Sequence, residues 1–281
     1  MEGINYKNFD AVVSKMRTFF RDVKGYKEVH TQNKLSILAA CEDPTTIATY
    51  NYNGQLWPLP QTGQMWLEHY LLEHPEEEDG FFCVSTSYRN EPNPVEGRHD
   101  KIFPMFEFEL KGGIDELRKV EMELLDYLGF NNEGETMTYP QDDYDNVSKK
   151  YEVDELDHIH EEYIERDFGK AFFLEQFPRR TSPFWNMRHS EDKEHANKID
   201  VIIHGIETIG SAERSTDPEQ MREMFHTISD GGYANILFAQ FGKERVEKEL
   251  EDFLKKDFFQ RSGGGIGMTR MIRAMKLSNL I

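Results

Sequence analysis

The chain has 281 residues, of which 38% are hydrophobic and 12% aromatic, so it can bury a sizeable core and is not a disordered protein. Its formal charge of −19 argues against a nucleic-acid or anionic membrane surface, because such partners are attracted mainly by basic groups. We expect a cytoplasmic protein, since there is no signal peptide, no apolar run near the roughly 20 residues of a membrane span, and no zinc-like spacing of the two cysteines.

The predicted elements begin with an amphipathic helix from Phe9 to Lys24, whose apolar residues recur at helical spacing and which ends at Gly25. A short strand is expected at 26–31, followed by a helix at 64–74. That helix leads into an acidic run at 76–79. We interpret the run as a solvated loop, because runs of like charge are usually exposed.

Two strands, Phe81 to Tyr88 and Ile102 to Leu110, are predicted to pair across the polar loop 90–101. The second strand alternates apolar and acidic residues, in the order Phe106-Glu107-Phe108-Glu109-Leu110. A period of two is typical of an antiparallel strand with two different faces. We therefore expect one apolar and one acidic face on this hairpin.

The remaining elements are predicted from the same signals. They are helices at 115–128, 155–166, from Asp217-Pro218-Glu219 onwards, at 243–256 and at the C-terminus to about Leu277, and strands at 171–175 and 198–204. The polar segment 131–145 is predicted to be a surface insertion. Because no repeat or linker is visible, we expect one α+β domain over residues 1–281.

A first group of polar residues follows the strand that ends at Tyr88. Arg89 and Glu91 leave that strand, and Arg98, His99 and Phe103 follow within the next loop and strand. Arginine can bridge carboxylate and phosphate oxygens, and an aromatic ring can stack on adenine. These residue types suit a nucleotide. A surface hairpin with an ordinary Arg–Glu pair is the alternative.

A second group is the glycine-rich segment Gly263 to Gly267, followed by Arg270 in the first turn of a helix. Glycines allow close approach of backbone to a ligand, and a helix N-terminus favours phosphate. We therefore take Gly265, Gly267 and Arg270 as candidate phosphate contacts. A plain tight turn would also explain the glycines.

Together these groups resemble motifs 2 and 3 of class II aminoacyl-tRNA synthetases, whose catalytic domain is an antiparallel sheet flanked by helices that binds ATP. Further segments resemble the aspartate/asparagine/lysine subclass in order and type. They are Pro60 to Glu68, His160-Glu161, Pro178, Ser182 to Trp185, and Asp200 to Arg214. The similarity runs from about Phe9 to the C-terminus and includes archaeal asparagine synthetases related to asparaginyl-tRNA synthetase.

For ATP, the resemblance implies that Arg89 contacts the α-phosphate and the substrate carboxylate. It also implies that Glu91 contacts the adenine and that Phe103 lies against it. The outer phosphates would be held by Arg98, His99 and Arg270.

For the metal, the resemblance implies that Glu207 and Asp200 hold Mg²⁺, a cation that prefers carboxylate and phosphate oxygens. An ordinary aspartate at a strand end is the alternative for Asp200.

For the amino acid, the resemblance implies that Arg214 pairs with one of its carboxylates. The candidates for its ammonium group are Gln61, Gln64 and Glu42.

The sequence departs from the subclass at several positions. Ile102 and Glu213 stand where glutamate and glutamine are usual, and Val29 to Gln32 lacks the proline of motif 1. Subclass members also carry a domain that reads the anticodon, and the resemblance here covers only the catalytic core. We therefore expect a catalytic-core relative without an anticodon-binding domain.

The resemblance to asparagine synthetases suggests that aspartate, ATP and ammonia give asparagine, AMP and pyrophosphate. In that reaction Glu213 is a candidate to bind the incoming ammonium and take its proton, with a simple salt bridge as the alternative. Two other functions stay open. The first is a stand-alone ligase that transfers the aminoacyl group to tRNA or to a protein. The acidic net charge argues against tRNA. The second is a regulatory paralogue without activity. Motif 1 further suggests a homodimer.

Overall fold

The structure, a computed structural model, describes residues 3–39, 43–94, 100–131, 139–191 and 193–281. Eight of its strands form one sheet in the order β1-β4-β5-β10-β9-β8-β7-β6, and β2 and β3 form a separate hairpin. The strands are β1 Lys27–Glu28, β2 Thr49–Tyr52, β3 Gln55–Pro58, β4 Gly80–Tyr88, β5 Ile102–Lys111, β6 Gln141–Asp143, β7 Ala171–Pro178, β8 His195–Ile203, β9 Ile206–Glu213 and β10 Arg261–Gly267. The six longer strands of the sheet, from β4 to β7 in its order, pair antiparallel, and the two short edge strands pair parallel.

Helices cover both faces of the sheet, which confirms the predicted α+β class. They are α1 Tyr6–Thr18, α2 Gln64–Glu73, α3 Ile114–Leu128, α4 Tyr144–Lys150, α5 His158–Phe168, α6 Pro218–Thr227, α7 Gly232–Phe241, α8 Lys243–Leu254 and α9 Met268–Leu277. In the part of the chain that the structure describes, every helix falls short of the length and apolarity that crossing a bilayer requires.

The first helix has clear start and stop signals. The Asn5 side chain accepts hydrogen bonds from the backbone amides of Lys7 and Asn8, which otherwise have no partner in the first turn. After α1 the chain continues through one π-helical turn, Phe19–Val23. Gly25 then takes a φ of +77°, a conformation that favours glycine. The predicted helix and its stop are both confirmed.

The alternation in β5 gives the sheet its two faces. Phe106, Phe108 and Leu110 point to the rear face, where they join the main core under α1, α3 and α9. Glu107 and Glu109 point to the opposite side, here called the front face, and both are completely buried. The predicted acidic and apolar faces are therefore confirmed, although the acidic face is not solvated.

Two segments have regular structure that the sequence did not predict. Residues 263–267 are not the tight turn that was the alternative for them: they form most of β10, which lies in the middle of the sheet between β5 and β9. The predicted insertion 131–145 ends instead in β6 and the start of α4, and residues 132–138 lie outside the described part. Neither segment has the apolar periodicity by which a strand is recognised.

A second core lies beneath the three helices between β9 and β10. Trp185 is completely buried there against Phe225 and Phe253 of α6 and α8. Asp217 accepts hydrogen bonds from the backbone amides of Glu219 and Gln220, so the predicted Asp-Pro start of α6 is confirmed. Phe184 packs against this core and lines the cavity described next.

Candidate active site

A cavity of about 770 Å³ lies on the front face, above the middle strands of the sheet. Many of the residues singled out from the sequence line it together. They are Gln64, Arg89, Glu91, Phe103, Glu207, Arg214, Gly265, Gly267 and Arg270. These residues come from α2, the β4–β5 hairpin, β9, β10 and α9, so the fold brings together groups that are far apart in sequence.

One end of the cavity has an arginine beside an aromatic ring. The guanidinium carbon of Arg89 lies 5.6 Å from the centre of the Phe103 ring. The backbone amide of Arg89 donates to the carbonyl of Lys101 at 2.8 Å, which fixes the arginine at the mouth of the hairpin. Glu91, in the loop of the same hairpin, also lines the cavity and supplies a carboxylate. This arrangement suits an adenine base joined to a phosphate.

Arg270 lies in the first turn of α9. Its Nη1 atom donates to the backbone carbonyl of Glu207 at 2.7 Å and lies 3.7 Å from the Glu207 carboxylate. The arginine is thereby aimed across β9 into the cavity rather than along its own helix. A guanidinium held in this way, near a helix N-terminus, is suited to phosphate oxygens.

At the other end, Arg214 is held by a buried carboxylate. Its Nε and Nη2 atoms each lie 3.1 Å from an oxygen of Glu109, and Nη2 also donates to the side-chain oxygen of Gln64. Burial raises the pKa of Glu109 to about 7, against the opposing effect of the Arg214 charge. The side chain of Arg214 lines the cavity although it is only 3% exposed. Such a paired arginine can recognise a carboxylate or an amide group.

Glu107 fixes the segment that presents Gln64. Its carboxylate accepts hydrogen bonds from the backbone amide of Gly63, at 2.8 and 2.9 Å, and from the hydroxyls of Thr62 and Ser85. Four donor contacts on one buried carboxylate satisfy its charge. They also set the start of α2, and therefore the position of Gln64.

A second buried ion pair lies beside Arg214. The carboxylate of Glu68 accepts from Nε and Nη2 of Arg261 at 2.9 and 2.7 Å, and from Asn186 at 2.6 Å. Both partners of the pair are completely buried. Because Glu68 belongs to α2 and Arg261 to β10, the pair fixes the helix to the middle of the sheet.

Glycines in β10 make room for these side chains. A methyl group on Gly263 would overlap the Glu109 carboxylate and the carbonyl of Phe108. One on Gly265 would lie 2.7 Å from the Met105 side chain and 3.1 Å from the Gln64 amide. The glycine-rich segment is therefore required by close packing across the strands, not by a turn.

Asp200 on β8 and Glu207 on β9 lie on neighbouring strands. A methyl group on Gly210 would lie 3.5 Å from Oδ1 of Asp200 and 2.9 Å from Oε1 of Glu207, so both oxygens lie close to the Gly210 backbone. Oδ2 of Asp200 accepts from the ammonium of Lys198 at 2.8 Å. Burial raises the pKa of Asp200 to about 7, while the nearby charge of Lys198 acts to lower it.

Three residues predicted from the sequence, namely Glu213, Gln61 and the buried Asp200, are not on the cavity lining, and three more lie outside the described residues. Glu213 points to the rear face, where it accepts from Arg188, Asn197 and Gln260, because it is the neighbour of the front-facing Arg214 in a strand. The contact with Arg188, at 2.8 Å, is a salt bridge of the kind given as the alternative for Glu213. Gln61 lies behind the cavity wall and donates to Asp43 and Thr46, both of which line the cavity. The three outside the described part are Glu42, Arg98 and His99.

Sequence reasoning assigned no role to several residues that the structure places at the site. Glu109 could have been found, because alternation in β5 and the Arg214 assignment together call for a front-facing partner. Glu68, Arg261 and Lys198 carried no such signal. Glu68 on α2 and Arg261 on β10 are each other's partners, 193 residues apart. Lys198 pairs with Asp200, two residues further along β8.

Known proteins resemble this chain in sequence and in fold. A sequence profile described as tRNA synthetases class II (D, K and N) matches residues 5–281. The aspartate–tRNA(Asp) ligase of Thermoplasma acidophilum is 23% identical over 136 residues, which is 46% of this chain and 32% of that protein. Human cytoplasmic aspartate–tRNA ligase is 24% identical over 116 residues, 41% of this chain and 20% of that protein.

Solved structures share the fold at low sequence identity. Asparaginyl-tRNA synthetase from Pyrococcus horikoshii, complexed with asparaginyl-adenylate, superposes with a TM-score of 0.76 at 19% identity over 96% of this chain and 64% of that one. The asparaginyl-adenylate complex of the Entamoeba histolytica enzyme gives a TM-score of 0.73 at 14% identity, covering 96% and 63%.

The chain thus spans 20% to 32% of the length of these two curated relatives and less than two thirds of these solved chains. The match to the family nevertheless extends over almost all of its own residues. Together with the shared fold, it shows that the chain belongs to the class II tRNA synthetases of the aspartate, lysine and asparagine group.

Proposed function

We propose that the protein activates aspartate with ATP, forming an aspartyl-adenylate and pyrophosphate. The observation that carries this proposal is the convergence of Arg89, Phe103, Arg270 and Arg214 on one cavity. Three of these groups suit the base and phosphates of a nucleotide. The fourth suits a carboxylate at the opposite end. A single elongated ligand that joins an amino acid to AMP would satisfy both ends.

Aspartate fits the amino-acid end by charge. Arg214 offers a planar fork of donors, and a carboxylate is the group that best matches such a fork. Glu109 accepts from the same guanidinium, so it sets the orientation of the fork before the substrate arrives. Asparagine is the closest competitor, because its amide could accept from Arg214 and donate to a carboxylate.

Two carboxylates fit the Mg²⁺ that this chemistry uses. Glu207 and Asp200 each have an oxygen close to Gly210, and Oδ1 of Asp200 has no hydrogen-bond partner among the described residues. Within that part of the chain no group of three or more acidic, histidine or cysteine side chains is placed to hold a metal, so phosphate and water would complete the coordination. When bound, Mg²⁺ neutralises phosphate charge.

The reaction needs no nucleophile from the protein. A carboxylate oxygen of aspartate attacks the α-phosphorus, the bond to the bridging oxygen of the β-phosphate breaks, and pyrophosphate leaves. Arg89 would stabilise the charge that develops at the α-phosphate, and Arg270 that on the leaving group. Arg214 would hold the carboxylate that does not react and so decide which of the two is activated.

We propose ammonia as the acceptor, which would give asparagine when the side-chain carboxylate is the activated one. Ammonia nitrogen attacks the carbonyl carbon, AMP leaves with the electron pair of the broken bond, and the nitrogen gives up a proton. The net charge of −19, which disfavours a long-range attraction for RNA, supports this acceptor. Glu213 has no part in it, since its carboxylate lies on the rear face.

Transfer to tRNA is the second candidate. It is favoured by the curated relatives, which are aspartate–tRNA ligases. In that reaction the main-chain carboxylate of aspartate would be activated instead, and Arg214 would hold the side-chain carboxylate.

A panel of assays separates these possibilities. Pyrophosphate exchange into ATP is measured with each of the twenty amino acids, and aspartate is expected to give the fastest exchange. Exchange with none of them would contradict the proposal and favour a regulatory protein.

A second assay identifies the acceptor. AMP and products are measured with ammonium or with total tRNA. Asparagine formed without tRNA supports the ammonia acceptor, and acid-precipitable aspartate that needs tRNA supports the second candidate.

A further inference from the structure

We infer that Lys198 acts as a built-in cation on Asp200 and competes with a divalent metal ion for that carboxylate. The inference rests on the proposed function, because Asp200 is one of the two carboxylates assigned to Mg²⁺ there. It concerns a residue to which neither the sequence motifs nor the proposed reaction gave a role. Lys198 is on β8, two residues before Asp200, so both side chains point to the front face.

The first support is the contact itself. Nζ of Lys198 lies 2.8 Å from Oδ2 of Asp200, and the two side chains are only 23% and 11% exposed. An ion pair at this depth is screened much less by water and salt than a surface pair. A metal ion that binds Asp200 through its other oxygen, Oδ1, would meet the repulsion of this ammonium across the same carboxylate.

The second support is that Lys198 is held in place from another side. Its ammonium lies 3.8 Å from the centre of the Phe177 ring, within the range of a cation–π interaction. Phe177 is on β7, the next strand of the sheet, and both residues line the cavity. The lysine is therefore a fixed part of the cavity wall and not a surface side chain that happens to fold over Asp200.

The third support is that the second carboxylate also has a cation beside it. Glu207, the other carboxylate, already has the guanidinium of Arg270 at 3.7 Å. Two carboxylates thus face two fixed cations, so the pair offers far less attraction to a divalent ion than two bare carboxylates would. We conclude that the protein without nucleotide binds metal weakly here, and that Mg²⁺ enters mainly together with the phosphates of ATP.

The test is a Mn²⁺ titration of the full chain, without nucleotide or amino acid, in which electron paramagnetic resonance measures the free ion. Wild type is expected to bind Mn²⁺ weakly at this pair. Lys198→Met removes the charge but keeps a long side chain against Phe177, and should lower the Mn²⁺ Kd at least about tenfold. Lys198→Gln should do the same while keeping a hydrogen-bond donor for Asp200, so it replaces the methionine variant if that one does not fold.

Three further variants make the result specific. Lys198→Arg keeps the charge and should bind Mn²⁺ like wild type. The double variant Lys198→Met with Asp200→Asn should lose the gain, because the carboxylate that was released is gone. Lys119→Met removes an exposed lysine on α3 and should change nothing.

Equal Mn²⁺ affinity of wild type and both uncharged variants would overturn the inference, and so would a gain that persists in the double variant. These outcomes are independent of the proposed function. Aspartate-dependent exchange in wild type with no gain in Lys198→Met would reject the lysine inference alone. A gain with no exchange for any amino acid would reject the proposed function alone.

Discussion

Arg214 and Glu109 lie side by side on the front face, with two guanidinium nitrogens each 3.1 Å from a separate carboxylate oxygen. They are 105 residues apart in sequence and meet because β9 and β5 both pair with β10. The glutamate is completely buried, whereas the arginine lines the cavity. The pair therefore presents a cation of fixed orientation to whatever binds at that end.

Replacing Arg214 by lysine should impair recognition of the amino acid but not of ATP. Lysine keeps the positive charge, but it cannot match Glu109 and a carboxylate with a planar fork of donors. We expect kcat/KM for aspartate in pyrophosphate exchange to fall about 100-fold, which is about 2.7 kcal/mol. The KM for ATP should change less than threefold. A matching rise in the KM for ATP would mean that Arg214 serves the nucleotide instead.

Gly263 on β10 should tolerate no side chain, because it packs closely against β5. Alanine there would push against the Glu109 carboxylate and the Phe108 carbonyl, so the variant should lose about 2 kcal/mol or more of unfolding free energy. Denaturant titration measures the loss. The control is Gly232→Ala, at the first residue of α7, where the added methyl would make only an ordinary contact of 3.8 Å with Ser229. That variant should be neutral or slightly more stable.

Features that depend on a local sequence pattern could be predicted, and features that depend on contacts between distant residues could not. The period of two in β5 predicted its two faces, and helical spacing with cap residues predicted α1, α3 and α6, because those signals are local. Residues 263–267 carry one apolar side chain among four glycines, so no local signal marks them as a strand. Three of their glycines are explained by groups on other elements, among them Glu109, Met105 and Ser211 on the neighbouring strands.

The site shows the same division. Arg89, Glu207 and Arg270 were identified from motif order, and they line one cavity. Glu213 was misplaced because β9 was not predicted, and without the strand its alternation with Arg214 could not be used. Arg261 and Glu68, 193 residues apart, are charged residues that a sequence alone would place at the surface.

The buried pair of Glu68 and Arg261 should contribute far more to stability than a surface pair. Glu68→Gln leaves the guanidinium without its charge partner in a fully buried setting, and we expect a loss of about 3–5 kcal/mol in unfolding free energy. Asp252→Asn breaks exposed pairs with Lys248 and Lys255 and should cost far less, because water and salt screen such pairs. Equal losses in the two variants would show that burial does not set the strength of these pairs.

Glu121 should make stability depend on pH. It is completely buried on α3, and burial raises the pKa of its carboxyl from 4.5 to about 8. Because the folded state holds the proton more tightly than the unfolded state, the free energy of unfolding should fall as pH rises from about 4.5 to about 8. The contribution is fully present below the lower of these values.

Glu121→Gln should remove most of that decline. We expect the variant to match wild type within about 0.5 kcal/mol at pH 4.5 and to exceed it by roughly 4 kcal/mol at pH 8. Glu123→Gln, on the same helix with a partly exposed carboxylate bonded to Lys24, is the control and should keep the wild-type decline. A parallel pH profile for Glu121→Gln and wild type would show that Glu121 ionises normally in the folded protein.

Arg89 should be required for adenylate formation. Arg89→Ala removes the guanidinium assigned to the α-phosphate, and loss of such a contact typically costs 100-fold to 1,000-fold in rate, or about 2.7–4 kcal/mol. Aspartate-dependent pyrophosphate exchange measures the effect. Arg166→Ala, an exposed arginine on α5 that pairs with Asp167, is the control and should keep the wild-type rate. Wild-type exchange by Arg89→Ala would place the reaction elsewhere.

The most direct measurement is a crystal structure of the protein with a stable sulfamate analogue of aspartyl-adenylate. We expect one molecule along the cavity, with adenine against Phe103, the sulfamate on Arg89, and the free carboxylate on the Arg214 fork. An analogue bound outside the cavity, or bound there with Arg214 turned away from it, would contradict the account.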